Sequence, residues 1–251
     1  MLNINLSPLN LMLSAAVVVG LVHLNSTETG VTASKQVVLL NTDVNQVSAE
    51  DTAKKLDDLE KRTGKPILLH ISSPGGEVLS GREVVEEIRT SKVDVNTLVT
   101  NYAMSMGMDF FLTGDKRFAT ADALGMIHRG SAGNMTFGAL KDALAVLELE
   151  KQLIDGGMPT SSQRRLEVES MLEQLRSTVQ VMDKLFEPTF RTLNKLLETA
   201  PNKEKLKALI EELKVGKTDI YLTAQEMLEV GIVTQIVSSK EEAEAITNAG
   251  R

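Results

Sequence analysis

The sequence predicts an α/β protein, a parallel sheet flanked by helices and joined by right-handed crossovers, interrupted by one long helical insertion. Residues 67–71 form a continuous apolar run of strand length, as expected for a strand buried on both faces, and residues 95–99 form a second strand-like run. Between them Val78, Val84, Val85 and Ile88 recur at broadly helical spacing. From about residue 136 to 215 the apolar spacing is mostly helical, so the sheet pauses there.

Val37-Val38-Leu39-Leu40 is a short β-rich run. Ser48-Ala49-Glu50-Asp51 reads as an N-cap with an acidic first turn, opening a helix to about Arg62 that Gly64 ends. The 67–71 strand delivers the chain into Pro74-Gly75-Gly76, and the 95–99 strand leads to a helix starting near Ser105. Past His128, Phe137, Leu140, Leu144 and Leu147 hold helical spacing until Gly156-Gly157-Met158-Pro159 breaks the run. A second amphipathic stretch carries Val168, Met171, Leu172, Leu175, Val179, Met182, Leu185 and Phe186 as its apolar stripe, and Pro188 should kink or end it. A third runs from about Lys203 to Leu213, closed by Gly216. Thr223-Ala224-Gln225-Glu226 is a capping box for a short helix ended by Gly231, followed by a strand over residues 232–237. The expected organisation is an N-terminal segment (1–34), a head (35–135 and 216–239), a helical insertion (136–215) and a tail (240–251).

At 251 residues the chain can bury one sizeable core, and 42% apolar with 24% charged residues is ordinary globular composition. A net charge of −7 and the lack of a basic cluster argue against nucleic acid as a partner. With no Cys and three His, disulfides and thiolate chemistry are excluded and a metal cage is not expected. The apolar stretch over residues 9–24 is broken by Asn10, Ser14 and His23 and falls short of the roughly 20 residues a membrane span needs. The reading is a cytoplasmic protein; the N-terminal segment packs on the body or a neighbouring subunit, or else serves as a signal or anchor.

Ser105 stands at a strand-to-helix turn, where an exposed Oγ can attack a carbonyl if a base lies within hydrogen-bond reach. Alone, it reads more simply as a helix cap. Gly75 and Gly76 follow an apolar strand and permit close approach of bare backbone N–H groups to an oxyanion, and Met106, first in its helix, has an unsatisfied N–H. In isolation Pro74-Gly75-Gly76 is a plain turn, His128 a satisfied core residue and Asp219 an exposed loop carboxylate. Ala103 occupies the place of the first Gly of G-x-S-x-G, so an α/β-hydrolase is not indicated.

Taken in order, Ser72-Ser73-Pro74-Gly75-Gly76, Ala103-Met104-Ser105-Met106-Gly107 and Met126-Ile127-His128 resemble the ClpP family of serine peptidases, within the ClpP/crotonase fold of repeated ββα units wound as a spiral. The likeness runs from about Lys35 to Val237. It implies Ser105 as nucleophile and His128 as base, since His23 lies in the N-terminal stretch and His70 inside a strand. It implies Asp219 as the residue orienting His128, through the spacing Asp-x-x-Leu-Thr-Ala to the capping box, and Gly75, Gly76 and Met106 as oxyanion or substrate-binding residues. The implied activity is endopeptidase cleavage of polypeptides, without a cofactor, in a homo-oligomeric ring to which an ATP-dependent unfoldase can deliver substrates. The insertion corresponds to the handle that joins two rings, several turns longer here. Two departures stand out. Arg129-Gly130 follows His128 where relatives often have Gln-Pro, and Thr218 precedes Asp219 where an Arg commonly couples the rings. Competing readings are a crotonase-type acyl-CoA enzyme, a Ser-Lys peptidase such as the signal-peptide peptidase SppA, an inactive ring subunit, and a stand-alone processing peptidase such as one that matures a viral head.

Overall fold

The apolar runs form the centre of a seven-stranded sheet in the computed structural model, which describes residues 36–249. Its strands are β1 (Val37–Leu40), β2 (Ile67–Ser73), β3 (Val95–Met104), β4 (Arg117–Thr120), β5 (Leu124–Ile127), β8 (Ile220–Thr223) and β9 (Gln235–Val237). Between β5 and β8 in sequence, β6 (Ser131–Ala132) and β7 (Met135–Thr136) make a small separate hairpin. The main path is β1-β2-β3-β4-β9, parallel throughout. Along one edge of β3, residues 97–99 pair with β4 and residues 102–104 with β5, so β4 and β5 share that edge in tandem. The other edge of β5 pairs antiparallel with β8.

Helices cover both faces: α1 (Gln46–Thr63), α2 (Val78–Thr90), α3 (Met106–Thr113), α4 (Phe137–Asp155), α5 (Ser162–Leu196), α6 (Lys203–Val215), α7 (Ala224–Glu229) and α8 (Lys240–Ala249). Ile67, Leu69, Ile71 and Val99 belong to the principal core, while Leu68 and Leu98, pointing the other way, pack with Phe118, Val237 and Ala243. This two-sided burial explains why β2 is apolar through Ile67, Leu68, Leu69 and Ile71 rather than alternating, with His70 its one polar member before Ser72.

α1 starts before the expected Ser48. Asn45 is its cap, its side chain accepting the Ser48 N–H while Ser48 Oγ accepts the Asn45 N–H, a reciprocal pair built on Ser at N3. β3 runs five residues past the expected end at 99, because its last residues gain β5 as a partner. Pro188 sits inside α5 without ending it. The ring cannot donate and crowds the carbonyls of the preceding turn, and one of these, Leu185, is taken by the Arg82 guanidinium from α2. The next residue, Thr189, donates its hydroxyl to Asp109 of α3 at 2.8 Å.

The helical segment between β7 and β8 divides by packing. Leu147, Ile154, Val168 and Leu172 make a cluster between α4 and α5, and Phe137, Leu140 and Met182 make a second nearer the sheet. Phe186 and Leu193 of α5, with Leu206, Leu209, Ile210 and Leu213 of α6, belong to the principal core. The stretch over residues 9–24 lies outside the described residues. Among the described residues no helix is long and apolar enough to cross a membrane.

Candidate active site

The sheet register brings three remote residues together. Met104 pairs with Met126 at the C-terminal ends of the parallel strands β3 and β5, and the Ser105 N–H extends that ladder to the Met126 carbonyl at 2.9 Å. Ser105 and His128 therefore leave neighbouring strands side by side, where open α/β sheets characteristically place their sites. Ile127 pairs with Ile220 across the antiparallel β5–β8 edge, so the residue after the first, His128, stands opposite the residue before the second, Asp219. The side chains meet accordingly: His128 Nε2 lies 2.8 Å from Ser105 Oγ, and Nδ1 lies 3.0 Å from Asp219 Oδ1. A carboxylate only accepts, so Asp219 selects the tautomer with the proton on Nδ1, leaving Nε2 free to accept from the Ser105 hydroxyl.

Ser105 is held at φ 52°, the sole non-glycine residue at positive φ among the described residues. It occupies the N-cap of α3 yet makes no side-chain cap bond. A Ser in that position ordinarily spends its Oγ on the helix; here the strained turn aims it at His128. Gly75 lies against the same turn. A Cβ on it would stand 2.6 Å from Ser105 Cβ, 2.6 Å from the Met104 carbonyl oxygen and 2.9 Å from Met106 N. The Gly75 N–H is occupied by Ser73 Oγ at 3.2 Å, so this residue supplies proximity and no free donor.

Gly76 differs. Val44 donates to the Gly75 carbonyl at 2.7 Å and accepts from Glu77 N–H at 2.8 Å, the two bonds of a parallel bridge centred on Gly76. In that pattern the N–H of the central residue turns to the opposite side, which is the β3 side, where Ser105 follows. Met106 opens α3, so its N–H is one of the helix's orphan donors.

A sequence profile described as Clp protease matches residues 25–174, more than half of the chain. The chain belongs to the Clp protease family. The ATP-dependent Clp protease proteolytic subunit 1 of Chlamydia pneumoniae is 35% identical over 144 residues, covering 55% of this chain and 75% of that relative. The subunit of the same name from Protochlamydia amoebophila is 28% identical over 211 residues, 83% of each chain. Among solved structures, a mutant ClpP1 from Listeria monocytogenes superposes with a TM-score of 0.55 over 82% of this chain and 94% of its own, at 22% identity. That likeness bears out the α/β fold of ClpP type. The family bears out the expectation of a serine-type peptidase. In this Clp protease family member the profile match spans Ser105 and His128 and stops short of Asp219, which enters the site through the β8 register alone.

Beside Ser105 and His128 a pocket is walled by Met182, Leu185 and Phe186 of α5, with Met106 and Ile127 opposite. Two groups at this wall were not legible as functional from sequence. Asp109, one turn along α3 from Ser105, is closely enclosed, and that burial pushes its carboxyl up to about 6 despite the Thr189 hydroxyl it accepts and the nearby Arg82 and Arg89. Arg129, noted only as a departure from the family pattern, turns inward and is buried. His70 keeps to its strand, with Nε2 2.9 Å from Thr100 Oγ1, and burial followed by the nearby Lys240 charge holds its imidazole below the usual value.

Proposed function

We propose that this chain is a serine endopeptidase of ClpP type that hydrolyses polypeptides through an acyl-enzyme, using Ser105, His128 and Asp219. The observation that carries the reading is the unbroken relay from Ser105 Oγ through the His128 ring to Asp219, at 2.8 and 3.0 Å. His128 Nε2 takes the hydroxyl proton as Ser105 Oγ bonds to the scissile carbonyl carbon, and the carbonyl π electrons move to oxygen. The resulting oxyanion is received by the N–H groups of Gly76 and Met106. Collapse breaks the C–N bond, the amine leaves with the proton from His128, and water then repeats the sequence to release the acid. Asp219 orients the ring and stabilises its cation throughout. Neither an acyl-CoA reaction nor an inactive subunit calls for all three side chains to be in register.

The enzyme works as a homo-oligomeric ring. The outer faces of the insertion support this: Val146, Leu149 and Leu153 on α4, with Leu166 and Val181 on α5, are all at least half exposed. The relatives' own name includes ATP dependence, and an ATP-driven unfoldase delivering substrates to the ring is the matching partner. Fluorophosphonate treatment with intact-mass detection, alongside the oligomeric mass, tests the proposal. A single adduct on the parent, absent from Ser105→Ala, is expected; hydrolysis retained by Ser105→Ala overturns it.

A further inference from the structure

We propose that Arg129 is a positioning residue for His128 and Asp219, and that Asp183 of α5 latches it, so that the seating of the handle sets the aim of the base. The inference rests on the hydrolytic reading of Ser105, His128 and Asp219.

The Arg129 side chain is only 4% exposed, and a guanidinium taken that far from water is tolerated only when it is paired or stacked. Its Nη2 donates to the Asp183 carboxylate, and its Cζ lies over the Phe137 ring, 3.8 Å from the centroid, with the Phe186 and Phe190 centroids at 5.1 and 5.2 Å. Three of the chain's six Phe residues thus surround one cation, one from α4 and two from α5. The box belongs to the handle helices; the residue it grips directly follows His128.

The same guanidinium stem rests on the loop that carries Asp219. Gly216, at φ +68°, leads into that loop, and a Cβ there would stand 2.9 Å from Arg129 Cγ and 2.6 Å from Phe137 Cδ1. Backbone bonds close the junction: Phe137 N–H donates to the Gly130 carbonyl at 3.2 Å and Gly138 N–H to the Gly216 carbonyl at 2.9 Å. The loop holding the base, the loop holding its carboxylate partner and both handle helices therefore converge on Arg129. A shift of α5 drags Asp183 and the Phe186 and Phe190 rings, hence Arg129, hence the ring of His128 relative to Ser105.

A buried Arg with a purely structural role would stabilise this junction without influencing the aim of His128. Asp183 separates the two cases because its side chain is 55% exposed, so neutralising it opens no cavity. Asp183→Asn should lower kcat roughly 10- to 100-fold, the scale of a sub-ångström to 1 Å misplacement, with KM near the parent's and a loss of rate larger than any fall in melting temperature accounts for. Asp183→Glu should recover most of the rate. Arg129→Lys should not, because a compact, strongly hydrated ammonium neither replaces the weakly hydrated guanidinium over Phe137 nor offers its fork of donors. Arg176→Gln, which breaks the exposed α5–α4 pair with Glu148 away from the site, should match the parent. The full-length protein is assayed with a fluorogenic peptide and by the rate of fluorophosphonate labelling. Parental kcat in Asp183→Asn, or a loss that merely tracks a fall in melting temperature, removes the proposal while a labelled parent preserves the hydrolytic reading. A parent that is not labelled at Ser105 removes both.

Discussion

Replacing Gly75 by Ala should cost this protein stability and activity together, for two separable reasons. Its backbone sits at φ +92°, where an L-residue costs about 1–3 kcal/mol. The new methyl would meet the Met104 carbonyl oxygen and Ser105 Cβ, both at 2.6 Å, and Met106 N at 2.9 Å. These are backbone or turn atoms that cannot swing aside, so overpacking adds about 1–3 kcal/mol. A total of about 2–6 kcal/mol is a large share of the roughly 5–15 kcal/mol that holds a typical domain folded. At about 2–4 °C per kcal/mol for a chain of this size, melting should fall by about 4–24 °C. Gly64 is the control. It has φ +57° with no atom within 4 Å of an added Cβ, so Gly64→Ala should carry only the conformational cost of about 1–2 kcal/mol and leave turnover unchanged. In Gly75→Ala the relief of the clash moves the Ser105 turn and the Met106 N–H with it, and a displaced oxyanion donor costs about 10²–10³ in kcat. Calorimetry and peptide hydrolysis on the two variants decide the matter. A Gly75→Ala protein that melts like Gly64→Ala and keeps the parental kcat would refute the reasoning.

Asp219→Asn should lower kcat on the order of 10⁴-fold, as the corresponding change does in the chymotrypsin triad, by favouring the wrong imidazole tautomer; near-parental turnover would mean another group orients His128. The folded Asp109 carboxyl titrates at about 6 against 3.8 for the ordinary group, so its contribution to stability is full below the lower value and is lost as pH rises through the higher one. Asp109→Asn should therefore flatten the decline in melting temperature between about pH 4 and 7, and parallel melting curves for parent and variant would contradict this. His70 acts in the opposite sense: its imidazole is held below 6.5, so stability present above that value is lost as pH falls, and His70→Gln should remove that acid-side slope. An unchanged slope in the variant would assign the acid loss to other groups.

The strands that carry Gly75, Gly76 and Ser105 were legible because burial on both faces leaves long apolar runs, as in Ile67, Leu68, Leu69 and Ile71, all fully buried. β4, β5 and β8 were not: four residues show no period, and they are held by pairing rather than pattern, whereas the equally short β1 was read from its composition, Val37-Val38-Leu39-Leu40. That mattered for Asp219, whose place opposite His128 follows from β8 and was reached from sequence only by likeness to a family. Helix ends with local signatures were read closely, as at Gly216 and the Thr223–Glu226 capping box. Arg129 and Asp183 were beyond reach: in sequence Asp183 is one acid among many on an amphipathic helix, and only the fold brings it to the residue after His128.

The antiparallel edge between β5 and β8 also orders events in time. The residues it aligns, His128 and Asp219, are 91 positions apart, with the whole helical excursion between them. At roughly 5–20 residues per second, about 5–20 s of synthesis separate the emergence of the imidazole from that of the carboxylate. Throughout that interval Ser105 and His128 are present beside an edge strand with one neighbour, and the carboxylate that meets the His128 Nδ1 has not yet been made. On the hydrolytic reading proposed above, a chain still being made would lack its third site residue until the helical excursion between β7 and β8 is complete.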